Sequence, residues 1–117
     1  VEFVISPSNE KMKELYSNYY AVLFAAINED LGLIPFEAGM SKKPIISINE
    51  GGPKETIIDG KSGFLVEENG FAEKMLYLVE HPDEAEKMGK EGYKNIKTNF
   101  SKKKFFERYD KAIRRVL

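Results

Sequence analysis

The chain has 117 residues, 42% of them hydrophobic and 32% charged, with a formal net charge of −1, one histidine and no cysteine. That length suits one modest core and is too short for two ordinary domains, and the composition is that of a soluble globular protein rather than a disordered one. Near-neutral charge argues against a broad nucleic-acid surface, and the missing cysteines and single His81 exclude disulfides, thiolate metal sites and a histidine-based zinc site.

No apolar run approaches the roughly 20 residues that span a bilayer. The strand-like Val1-Glu2-Phe3-Val4-Ile5 opens the sequence without a charged leader, so no signal peptide and a cytoplasmic location are expected. Glutamine is absent while lysine and glutamate dominate the charged set, a bias associated with hot environments.

Short apolar runs alternate with amphipathic ones, the pattern of βα units on a mainly parallel sheet. A first strand is expected at Phe3-Val4-Ile5. Ser8 then caps a helix whose apolar face is Met12, Leu15, Tyr16 and Tyr19. A second strand covers residues 21–25, and Pro35 suits the first turn of a helix running to about Ser41. Pro44-Ile45-Ile46-Ser47-Ile48 reads as a strand buried on both faces. A short helix over residues 54–58, a turn at Asp59-Gly60-Lys61-Ser62-Gly63 and a fourth strand at Phe64-Leu65-Val66 follow.

Three helices close the chain. Phe71, Met75, Leu78 and Val79 stripe the first, Asp83 with Glu86 reads as a capping box for the second, and Ser101 caps a third striped by Phe105, Tyr109, Ile113 and Val116. The expected architecture is one α/β unit, with βα units over 1–66 and a helical tail over 67–117. From Lys87 to Leu117 eleven Lys/Arg face only Glu91, Glu107 and Asp110. This is a solvated helical face, or a surface attracted to an anionic membrane or a neighbouring domain.

Two carboxylates, Glu29 and Glu37, flank Gly32 and Pro35 in the segment after the second strand. Open α/β sheets bind ligands beyond the carboxyl ends of their strands, and ionised carboxylates are strong acceptors for hydroxyl-rich ligands. Gly32 allows close backbone approach, and the N–H groups of Leu33 and Ile34 at a helix start favour an anion such as phosphate. A phosphorylated polyhydroxyl ligand, such as a sugar nucleotide, fits that set. The plainer reading leaves Glu29 solvated and makes Glu37 a helix cap. Gly51-Gly52-Pro53-Lys54-Glu55 offers a second set of N–H groups after a strand, or an ordinary turn that needs positive φ.

Taken in order, Ala21-Val22-Leu23-Phe24, Glu29 with Gly32, Pro35 and Glu37-Ala38, Lys43-Pro44-Ile45-Ile46, Gly51-Gly52-Pro53-Lys54-Glu55 and the run from Asp59 to Val66 resemble the nucleotide-binding half of retaining glycosyltransferases of family 4, the group 1 family with the GT-B fold. The close, Asn99-Phe100-Ser101 with a later Arg108-Tyr109, is similar too. The resemblance implies a partial GT-B C-terminal domain of about four mostly parallel strands. It implies that Glu29 contacts donor-sugar hydroxyls and supports the reacting centre, that Glu37 holds the ribose diol, and that N–H groups near Gly32 and Leu33 face the diphosphate. No metal or cofactor is expected, and stabilisation of the departing diphosphate would fall to cations and backbone donors.

The resemblance also marks departures. The family's arginine and lysine from earlier loops have no counterpart, and neither does its acceptor-binding N-terminal domain. Lys42 stands where the family's helix ends in glycine. Gly39 lies inside that helix, where glycine costs about 0.5–1 kcal/mol relative to alanine. In the strand order 3-2-1-4-5-6 two strands would be missing beside the first, so that strand is expected to move beside the second or to pair with another copy. The expectation is a fragment of a glycosyltransferase that moves a sugar from a nucleotide-sugar donor with retention, inactive by itself. The rival is a non-catalytic subdomain or engineered fragment whose main property is folding and self-association. A related GT-B enzyme such as an epimerase fits the ordered motifs less well.

Overall fold

Ser8 begins the first helix: its backbone is extended and its hydroxyl accepts the Lys11 N–H at 3.2 Å, starting α1 (Asn9–Asn18). The computed structural model describes residues 1–116, so Leu117, which ends the basic stretch, lies outside it. After α1 come β1 (Val22–Phe24), α2 (Leu33–Met40), β2 (Ile45–Ile48), α3 (Pro53–Thr56) and β3 (Phe64–Val66). A short 3-10 turn leads into α4 (Phe71–Glu80), α5 (Pro82–Asn99) and α6 (Lys102–Val116).

The strands form one parallel sheet in the order β1-β2-β3, with Val22 opposite Ile45 and Ile46 opposite Phe64. The central strand is buried at every residue, which is why Ile45-Ile46-Ser47-Ile48 is almost uninterruptedly apolar. Alternation along it splits the core in two. Ile46 packs with Phe64, Val66, Leu78, Ala85 and Met88 against α4 and α5. Ile45 faces the other side, with Ala38 and Ile57 and the half-buried Val22, Phe24 and Ile34. This is the expected α/β class, a parallel sheet flanked by helices with a terminal helix.

Three local expectations change. Residues 3–5 form no strand, and Phe3 and Ile5 are 86% and 88% exposed. Their apolar pattern gives strand propensity, but a strand needs a neighbour for its N–H and C=O groups, and none lies beside them. The Asp83–Glu86 capping box is not formed: α5 starts with Pro82 after His81 as N-cap, which puts Asp83 inside the first turn, and Glu86 pairs with Lys90 instead. In α4 only Leu78 of the predicted stripe is fully buried, with Phe71 half-buried and Met75 and Val79 exposed. Ser101 does cap α6, accepting the Lys104 N–H at 3.3 Å, yet α6 buries none of its described residues.

Where α2 crosses α5 the two backbones nearly touch. A Cβ on Gly39 would lie 2.8 Å from Ile96 Cγ1, and one on Gly89 would lie 2.1 Å from the Lys42 carbonyl oxygen. Gly39 thus secures the crossing that fixes α2, rather than merely loosening the helix. Asn95 adds a buried tie, donating from Nδ2 to the Thr56 carbonyl at the end of α3 at 2.8 Å.

Candidate functional site

Beyond Phe24 the chain leaves β1 and makes a tight excursion before α2. Asn28 takes a left-handed φ of 57°, and its N–H donates to Glu50 Oε1 at 3.1 Å. The carboxylate of Glu29, partly buried, accepts the Gly32 N–H at 3.0 Å through Oε1. Its carbonyl accepts the Gly52 N–H at 2.9 Å. Gly51 has a φ of 58°, and a Cβ on it would come within 2.2 Å of that same carbonyl oxygen. Only glycine allows this approach. The two glycine-bearing motifs are therefore packed backbone to backbone, both just past the carboxyl ends of β1 and β2.

Two consequences follow for ligand binding. The N–H groups of Gly32 and Gly52 are occupied inside the chain and organise the loops. Those of Leu33 and Ile34, in the first turn of α2, have no acceptor among the described residues, and the helix dipole makes that end attractive to an anion. Leu33 is exposed and Ile34 half-buried against the core.

Glu37 does not lie in the first turn. The helix begins at Leu33, two residues before Pro35, so Glu37 sits one turn along and cannot cap it. It stands on the same exposed face as Leu33, four residues away. Its Oε2 accepts the hydroxyl of Tyr16 from α1 at 2.7 Å. Partial burial, with the Glu37 carboxylate beside it, raises the Tyr16 phenol well above its usual pKa, so it stays a donor across the neutral range.

Beside this region an open cleft of about 470 Å³ is lined by Ile27, Ile48, Asn49, Glu50, Glu67 and Glu68. Sequence reasoning passed over Glu50, Glu67 and Glu68, although each follows a strand's carboxyl end, the rule that located Glu29. Tyr16 gave no such signal, because on its own helix it reads as one more apolar-face residue. The turn from Asp59 to Gly63 is internally satisfied: Asp59 Oδ1 accepts the Leu65 N–H at 2.9 Å and the Gly60 N–H donates to the Gly63 carbonyl at 2.9 Å. No three His, Cys, Asp or Glu side chains converge in a metal-holding arrangement among the described residues.

Comparison with known proteins agrees with this layout. The profile of the family described as glycosyl transferases group 1 matches residues 1–95. A trehalose synthase of Thermococcus litoralis is 46% identical over 89 residues, covering 75% of this chain and 22% of that protein. An alpha-1,3/1,6-mannosyltransferase ALG2 of Dictyostelium discoideum is 30% identical over 118 residues, 99% of this chain and 28% of its own length. The crystal structure of the C-terminal domain of a glycosyl transferase group 1 family protein, LpcC, from Francisella tularensis superposes with a TM-score of 0.75 at 30% identity, over 87% of this chain and 53% of that one. The chain spans less than a third of the length of these two curated relatives. With a parallel three-stranded sheet, two carboxylates past a strand end and a family profile over most of its length, the chain belongs to the glycosyl transferases group 1 family.

Proposed function

We propose that residues 1–117 form one side of a nucleotide-sugar donor site in a retaining glycosyltransferase. The observation that carries this reading is the joining of the Glu29 loop, the start of α2 and the Gly51-Gly52 loop past the ends of adjacent parallel strands. In this assignment Glu37 accepts hydrogen bonds from the ribose diol, and Glu29 contacts sugar hydroxyls near the reacting centre. The unoccupied N–H groups of Leu33 and Ile34 face the diphosphate. Charged acceptors aimed at hydroxyls and N–H donors aimed at phosphate supply orientation and transition-state stabilisation. Gly32, Gly51 and Gly52 shape the site from behind, and no metal or other cofactor has a role.

The acceptor side and the cations facing the leaving diphosphate belong, in this reading, to further chain of the kind its longer relatives carry. The exposed stripe of α6 (Phe105, Tyr109 and Ile113) is a surface for such a domain, and its basic residues suit an anionic membrane nearby. Titration of the chain with UDP-, GDP- and ADP-sugars tests the donor site. Binding of one of them, weakened about tenfold or more by Glu37→Ala, is the expected outcome. No binding by any nucleotide favours the alternative, a non-catalytic folding and assembly unit, for which the uncovered edge of β1 is the supporting observation. The chain alone is expected to transfer no sugar, and measurable transfer by the purified chain would overturn that.

A further inference from the structure

Glu37 projects from an exposed helix face, and no residue of α2 fixes the direction of its carboxylate. The constraint comes from a different element. Tyr16 is half-buried, and with Met12, Leu15, Val22 and Leu23 it lines an apolar groove of about 270 Å³ between α1 and the sheet. Its hydroxyl emerges from that groove to donate to Glu37 Oε2 at 2.7 Å. The helix that presents it is tied down at its far end: Lys43 Nζ donates to the Ser17 carbonyl at 3.1 Å, and the Tyr20 hydroxyl donates to the Leu78 carbonyl at 2.7 Å. A half-buried ring with two torsions, on a helix tied at its end, carries its hydroxyl to a defined place.

We propose that Tyr16 is a positioning residue of the donor site, orienting the Glu37 carboxylate for a vicinal diol before the ligand arrives. The inference rests on the donor-site reading above. An ionised carboxylate has about four acceptor positions. With one of them taken by Tyr16, Oε1 and the remaining lone pair of Oε2 are left for the two hydroxyls of a ribose. A carboxylate fixed in advance loses less freedom on binding, so the gain appears as affinity.

Tyr16→Phe keeps the ring and its groove while removing the donor. Binding of UDP, GDP and ADP is measured for the chain, for Tyr16→Phe, for Glu37→Ala and for the double variant. The nucleotide that binds is then compared with its 2′,3′-dideoxy counterpart. Tyr16→Phe is expected to weaken the ribonucleotide roughly three- to tenfold, the net scale of one ordinary hydrogen bond. Dideoxynucleotide binding should stay within about twofold, and Tyr16→Phe should add nothing in the Glu37→Ala background. Equal losses for the two ligands, additive losses in the double variant, or no loss at all overturn the positioning role while leaving the donor site standing. Failure of every nucleotide to bind the unaltered chain overturns both.

Discussion

Lys42 holds a left-handed backbone, with φ at 55°, immediately after the C-cap Ser41 of α2. A side chain there costs about 1–2 kcal/mol relative to the right-handed region, and glycine is the usual solution at a helix end. What offsets the strain is the Lys42 ammonium 5.0 Å from the centre of the Tyr93 ring, worth about 0.5–1 kcal/mol at an exposed site. The strain is the larger of the two, so Lys42→Gly is expected to raise stability by about 0.5 kcal/mol in urea unfolding. A loss would mean that the ring contact outweighs the backbone. The position was legible through the family resemblance, because Lys42 stands where that family's helix ends in glycine. Tyr16 was not: a tyrosine on an apolar helix face gives no sign that its hydroxyl will meet a carboxylate 21 residues away. Glu29 was legible as a site candidate, but the capture of its Oε1 by the Gly32 N–H depends on loop geometry that composition does not encode.

At the level of elements, helices were readable because their apolar period is local, and the central strand because its burial on both faces leaves an unbroken apolar run. The strand expected at residues 3–5 failed for the opposite reason, since pairing depends on what lies alongside and not on the segment itself. Gly39 illustrates the same limit. Along the sequence it looks like a weak point in α2, whereas across the fold it is where α5 comes closest. The crossing makes a sharp prediction. Gly89→Ala would force a Cβ to 2.1 Å from the Lys42 carbonyl oxygen, and backbone there cannot yield cheaply, so a loss of about 2 kcal/mol or more is expected in thermal or urea unfolding. Gly92→Ala meets nothing closer than 3.4 Å, at the Ser62 carbonyl oxygen, and alanine is the better helix former by about 0.8–1.0 kcal/mol. It should be neutral or slightly stabilising. Equal effects at the two positions would refute the close crossing.

On the scale of the whole molecule, neither outer strand of the sheet has a further strand beside it among the described residues, and β1 is the more exposed of the two. Among the described residues β1 pairs with β2 alone, so no strand pairs with its outer edge, and Leu23 on that strand is 48% exposed. Exposed strand edges recruit other strands, and a charge placed on them blocks the recruitment. Light scattering over a concentration series is expected to show growing association of the chain, reduced by Leu23→Lys. A clean monomer at high concentration for the unaltered chain would count against an open edge of this kind. The opposite end of the molecule has a different character. Phe36, next to Glu37, meets Phe100 edge-to-face with ring centres 5.2 Å apart, at the corner where α5 gives way to α6. Together with the glycine crossing, that contact makes α2 and the α5–α6 corner one stiff piece. A push on α6 would reach α2 through Ser101 and the Phe100–Phe36 ring contact, one residue from Glu37. The root of Glu37 would then move with the terminal helix while its tip stayed tethered to Tyr16 on α1, as a lever moves against its pivot.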